Sequence, residues 1–152
     1  MTIDANGPIC TCGNVGCVEV HCRASSLVSA MTDRLASHPT HPLHGVRTLK
    51  PETVISAAAG GDDVAAAALA EYVRYLSSAV VSYIHVYDPD LVLLGGGMMN
   101  AAAHILPPVQ RYVLEHTWTC PPRTIPVKAA ALGDLAGLVG AAALARGYQN
   151  FL

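Results

Sequence analysis

Asp88-Pro-Asp-Leu-Val-Leu-Leu-Gly-Gly-Gly97 is the stretch on which the fold turns. Pro89 disfavours helical backbone at the residue before it, so whatever helix leads into this segment ends near Asp88. Leu91 to Leu94 is an apolar run without polar alternation, the pattern of a strand covered on both faces in a parallel sheet. Gly95 to Gly97 end the strand, and Asn100 is placed to cap a following helix. Upstream, Leu69, Val73, Leu76, Val80, Ile84 and Tyr87 recur every three or four residues and predict one long amphipathic helix. Asp62 and Asp63 suit its positive end. Before them, Pro51 and Glu52 open a short helix that stops at Gly60-Gly61.

Working further outward, His38 to Lys50 holds Pro39, Pro42 and Gly45 and reads as a surface loop. Val20, Leu27, Val28, Met31 and Leu35 approximate helical spacing from Glu19 to about Ala36. Residues 1–18 are a Gly- and Cys-rich loop. Downstream, Pro107-Pro108 should break or restart a helix that runs to about His116. Thr124 to Ala129 is a second strand candidate. Gly133-Asp134 is a turn, with Asp134 able to cap a last helix to about Arg146. Gly137 and Gly140 in that helix point to close packing against a neighbour. The expected architecture is helix-rich α/β, a single domain over residues 1–152 made of a loop (1–18) and a helix-rich lobe (19–152).

Composition narrows the function. The 152 residues carry nine Lys+Arg against eleven Asp+Glu, with 13% charged and 52% apolar residues. Mean hydropathy is +0.38. The chain is too apolar for disorder, and its mild acidity gives no electrostatic drive towards nucleic acid or an anionic membrane. There is no unbroken apolar run of about 18 residues and no basic, apolar leader, so the reading expects a cytoplasmic protein without membrane partners.

The sharpest chemical signal is Cys10-Thr-Cys12-Gly-Asn-Val-Gly-Cys17-Val-Glu19. Four of the five cysteines fall within thirteen residues, which favours metal over a disulfide framework. Zinc takes thiolates in a tetrahedron, and Gly13 and Gly16 permit the tight folding that brings Cys10, Cys12 and Cys17 together. Such a site would be structural. His21 and Cys22 lie just beyond and are candidates for a fourth ligand in cis, although facing their own helix's surroundings is the plainer reading. His38, His41 and His44 form an H-x-x-H-x-x-H string that reads as solvated loop. His85, His104 and His116 are isolated. Trp118 and Cys120 sit near a helix end, where packing and interface roles look alike.

The Cys cluster, the Asp88–Gly97 segment and the final Leu132-Gly-Asp-Leu-Ala-Gly-Leu-Val-Gly-Ala-Ala142, in this order from about Ile9 to Ala145, resemble the ROK family of repressors, open reading frames and sugar kinases. That resemblance implies the C-terminal lobe of an actin/hexokinase-like (ribonuclease H-like) ATPase fold. It implies Cys10, Cys12 and Cys17 as ligands of a structural zinc, the family's fourth being a histidine upstream of the cluster. Glu19 would hydrogen-bond a sugar hydroxyl. Gly95, Gly96 and Gly97 would line the adenosine side of the cleft for Mg-ATP, with Gly133 and Asp134 in a nearby loop.

Nine residues precede Cys10, none of them histidine, and the chain contains no D-x-G-G-T phosphate loop. Phosphoryl transfer depends on positioning and charge neutralisation around the moving phosphate. The expectation is therefore the C-terminal part of a kinase acting on glucose or an N-acetylhexosamine, inactive alone. Two alternatives stand beside it. One is the remnant of a repressor that binds a sugar effector. The other is a zinc-stabilised interaction lobe that forms a homodimer or docks on a missing N-terminal lobe.

Overall fold

A computed structural model describes residues 1–148, the side chains of Asp134 and Tyr148 excepted. Its elements in chain order are α1 (Val18–Cys22), α2 (Ala24–Leu35), α3 (Pro51–Ala59), α4 (Asp63–Tyr87), β1 (Val92–Leu94), α5 (Ala102–His116), β2 (Val127–Ala129) and α6 (Ala136–Tyr148). Short 3-10 turns, Gly97–Ala101 and Gly133–Leu135, precede α5 and α6.

The long helix begins and ends where local chemistry dictates. Asp62 caps α4, its Oδ1 accepting the Ala65 N–H at 2.8 Å. At the other end Asp88 adopts φ +46°, a left-handed stop immediately before Pro89. Val73, Val80 and Ile84 are buried as the periodicity predicts, and Leu69 and Leu76 are half-buried. Tyr87 falls outside the stripe and is 70% exposed, because the helix overruns its neighbours at this end. By length and composition α4 qualifies as a membrane span despite lacking an unbroken apolar run. Its buried side is taken up by α1, α2, α3 and α5.

Strands β1 and β2 pair in parallel, in the register Val92↔Val127, Leu93↔Lys128 and Leu94↔Ala129. Helix α5 connects them and packs on α4 and β2. Covering on both faces, expected from the unbroken apolar run, is not what β1 shows. Leu93 is 57% exposed, since the helices of this chain lie against the opposite side.

Other departures have local causes. The single helix expected from Glu19 to Ala36 is two, because Arg23 is extended (ψ 155°) and Ser26 Oγ turns back to the Val20 carbonyl at 2.6 Å. Helix α5 runs straight through Pro107 and Pro108. The two N–H groups it lacks would have met the carbonyls of Ala103 and His104, both exposed residues that water can serve. Asn100 caps nothing; Ala101 occupies that position, after the 3-10 turn. A Cβ placed on Gly137 or Gly140 meets nothing within 4 Å, so among the described residues neither glycine is packed closely against a neighbour. The expected Asp134 cap lies outside the described side chains.

His41 departs from the solvated-loop reading. Its side chain is 9% exposed and its Nε2 donates to Asp62 Oδ2 at 2.7 Å, while its Nδ1 accepts the Leu43 N–H. The Ala65 N–H, then His41, hold the Asp62 carboxyl below its ordinary value of 3.8. Stability from this lowered carboxyl is present above that ordinary value and is lost as pH falls through the folded one. Asp62→Ala should cost about 1 kcal/mol in urea unfolding. Asp62→Asn keeps the cap and should show a shallower acid dependence than the wild type; identical acid profiles would contradict the assignment.

Candidate metal loop and glycine-lined cleft

Residues 1–17 close on themselves. Thr2 bridges Cys17 and Ile9 bridges Val15, both antiparallel. Inside this frame the Cys10 N–H donates to the Asn14 carbonyl at 2.7 Å and the Gly13 N–H donates back to the Cys10 carbonyl at 2.9 Å. Gly13 (φ +85°) and Gly16 (φ +60°) make the reversals.

The result brings together the three sulfurs singled out from the sequence. The Sγ atoms of Cys10, Cys12 and Cys17 all lie within 4.8 Å of one another. Cys12 Sγ and Cys17 Sγ are 3.7 Å apart. A tetrahedron with metal–sulfur bonds of about 2.3 Å has edges of about 3.8 Å, so this donor set fits zinc. Among the described residues the cluster stops at three ligands. The thiols are electrostatically unequal. The Asn14 backbone N–H, then the neighbouring sulfurs, lowers the Cys12 pKa. Burial, then the facing sulfurs, pushes Cys17 up to about 11.

Neither in-cis candidate for a fourth ligand joins them. His21 is buried and stacks on Tyr75, with ring centroids 3.9 Å apart, and its Nε2 has no hydrogen-bond partner. The thiol of Cys22 is pushed up to about 11 by burial, and its carbonyl accepts the Tyr72 hydroxyl at 2.9 Å. Glu19 on α1 does reach the loop: its Oε2 accepts the Cys10 thiol at 3.2 Å.

Asp4 is the residue that sequence reasoning missed. Its carboxylate accepts the Asn6 N–H, within the loop, and the Tyr75 hydroxyl, which ties the loop to α4, each at 3.0 Å. Those two donors, Asn6 first, lower the Asp4 pKa. The Asp4-Ala-Asn6 turn carries a local signal. Nothing local announces a partner 71 residues away.

A separate cleft of ≈ 360 Å³ lies between Cys22, Tyr72 and the Gly95–Gly97 loop. That is within the size of small-molecule sites. The parallel pairing delivers these glycines to the carboxyl ends of the strands, where ligands approach backbone in open α/β sheets. Gly96 has φ +92°, and a Cβ on Gly95 would lie 3.5 Å from that of Ala130, just past β2. The two 3-10 turns touch, bringing Gly133 (φ +49°) to the same edge. Glu19 and Gly133 do not line the cleft itself. His38 Nδ1 pairs with the Arg34 carbonyl, His85 Nε2 accepts the Trp118 N–H, and His116 stacks on Tyr112. His104 lines a separate groove between α4 and α5. Trp118 and Cys120 are exposed.

A sequence model of the ROK family matches residues 1–148. The chain belongs to the ROK family. A glucokinase from Thermotoga maritima is 28% identical over 149 residues, covering 95% of this chain and 47% of the relative. The DNA-binding transcriptional repressor Mlc of Escherichia coli is 22% identical, covering 97% of this chain and 36% of the relative. A ROK glucokinase from Streptomyces griseus, solved with glucose and AMPPNP, superposes with a TM-score of 0.82 at 29% identity, covering 97% of this chain and 50% of that one. This ROK chain thus spans about half the length of the glucokinases it matches, and its helix-rich α/β architecture is actin/hexokinase-like.

Within the ROK loop, Gly16 is the tightest point: a Cβ there would come 1.6 Å from the Asp4 carbonyl oxygen, whereas one on Gly13 meets nothing within 4 Å. Gly16→Ala should therefore cost more than about 3 kcal/mol, the range of severe steric lesions. Gly13→Ala, strained only in its backbone, should cost about 1–2 kcal/mol. Equal losses in chemical unfolding would contradict this packing.

Proposed function

We propose that this chain is the sugar- and nucleotide-contacting C-terminal portion of an ATP-dependent ROK sugar kinase, acting on glucose or an N-acetylhexosamine. The observation that carries this reading is the gathering of Gly95, Gly96, Gly97 and Gly133 at the carboxyl edge of the parallel strands. The glucokinase relatives support it. In this reading the glycines let the adenosine side of Mg-ATP approach bare backbone. Glu19, an exposed carboxylate anchored beside the loop, accepts charge-assisted hydrogen bonds from a sugar hydroxyl. Cys10, Cys12 and Cys17 hold a structural zinc, which supplies cross-linking of the loop and no part of the phosphoryl chemistry. No D-x-G-G-T sequence occurs in the 152 residues, so the chain alone lacks the groups that steer the moving phosphate.

The Mlc relative supports a second reading, in which the same Glu19 side binds a sugar effector without turning it over. Exposed apolar side chains on β1 and α6, including Leu93, Leu138 and Leu144, favour docking on a first lobe or a second copy in either case. Both readings fit a cytoplasmic protein.

Amide spectra of the labelled protein titrated with Mg-ATP, glucose and N-acetylglucosamine test the assignment. Millimolar ATP should shift the Gly95, Gly96, Gly97 and Gly133 amides, and sugar should shift those around Glu19, with no sugar phosphate formed. Sugar shifts without ATP shifts favour the effector-binding reading. ATP shifts confined to other surfaces contradict the nucleotide assignment.

A further inference from the structure

The three cysteines of the loop differ in what their sulfurs face. Cys10 Sγ is turned to the Glu19 carboxylate at 3.2 Å and to the Thr11 hydroxyl at 3.9 Å. Cys12 Sγ faces Cys17 Sγ at 3.7 Å. Cys12 is exposed, while Cys10 and Cys17 are buried. Bonded disulfide sulfurs are about 2.05 Å apart, so this pair must close by roughly 1.7 Å. The backbone leaves more room beside Cys12 than beside Cys17. Gly13, next to Cys12, has open space around it, whereas Gly16, next to Cys17, is pressed against Asp4.

We propose that Cys12 and Cys17 form an oxidisable dithiol, with Cys12 the residue oxidised first by a hydroperoxide and Cys17 the resolving thiol. In the first step the Cys12 sulfur attacks the peroxide's terminal oxygen. An S–O bond forms, the O–O bond breaks, and the departing alkoxide leaves with the thiol proton as an alcohol, or as water when the oxidant is hydrogen peroxide. In the second step the Cys17 sulfur attacks the Cys12 sulfenic acid. The S–S bond forms, the S–O bond breaks, and hydroxide leaves as water with the Cys17 proton. Two electrons pass from the dithiol to the peroxide. Cys10, held by Glu19, takes no part. The thiolate is the metal-binding form, so the bond removes two of three sulfurs from any metal bound there. The inference rests on thiol geometry and stands whether or not zinc is bound.

Hydrogen peroxide treatment of the zinc-loaded and the chelator-treated protein, followed by alkylation and non-reducing peptide mass spectrometry, tests it. The wild type and Cys10→Ser should both yield a Cys12–Cys17 disulfide with loss of two hydrogens, and zinc-loaded protein should release its metal. In Cys17→Ser, dimedone should capture a sulfenic acid on Cys12. A dominant bond from Cys10 to either partner in the wild type overturns the proposal, as does oxidation of Cys12 to sulfinic acid without any disulfide. Protein that takes up no zinc yet forms the Cys12–Cys17 bond would refute the metal loop and leave this proposal standing.

Discussion

Burial of the inner face of α4 is the constraint on which the rest of the chain depends. Ala65, Ala68, Val73, Ala79, Val80 and Ile84 are buried along it, and α1, α2, α3 and α5 all pack against this one helix. Each fully buried Val or Ile contributes about 1.5–3 kcal/mol, while the alanines let neighbouring helices approach closely. Its polar residues serve the same end. Ser77 Oγ donates to the Val73 carbonyl at 2.7 Å within the buried face, and the Tyr72 hydroxyl reaches the Cys22 carbonyl.

The two candidate sites take their positions from that helix. Through Tyr75 and Asp4, α4 holds the Cys loop, and the loop in turn holds Glu19 through Cys10. Through Tyr72 and Leu76 it forms one wall of the cleft whose opposite wall is Gly95–Gly97. The carboxylate proposed to contact sugar and the edge proposed to contact nucleotide are thereby both positioned by one helix, an arrangement that suits either proposed reading.

Features decided within a few residues were legible in the sequence. Asp62 as a cap, Asp88-Pro89 as a stop, the Leu91–Leu94 run as a strand and the glycine-spaced thiols all declare themselves locally. What escaped depends on distant partners or on what is absent around an element. Tyr75 answering Asp4, and Asp62 answering His41, are set by tertiary packing. The α5 helix passes through Pro107 and Pro108 where the carbonyls left without donors belong to exposed residues, Ala103 and His104. Gly137 and Gly140 promised a packed neighbour, yet α6 presents Leu138 and Leu144 to the exterior. Leu93 behaves likewise: its apolar run reads as a doubly covered strand, yet among the described residues one face of β1 is left open.

We propose three thiolates, those of Cys10, Cys12 and Cys17, as ligands of a metal that fixes the loop beside the proposed sugar contact. Zinc-edge X-ray absorption on the protein purified without added metal tests it most directly. Three sulfur scatterers at about 2.3 Å and one nitrogen or oxygen scatterer completing the tetrahedron are expected. Protein free of zinc, or zinc surrounded by oxygen and nitrogen alone, would contradict it.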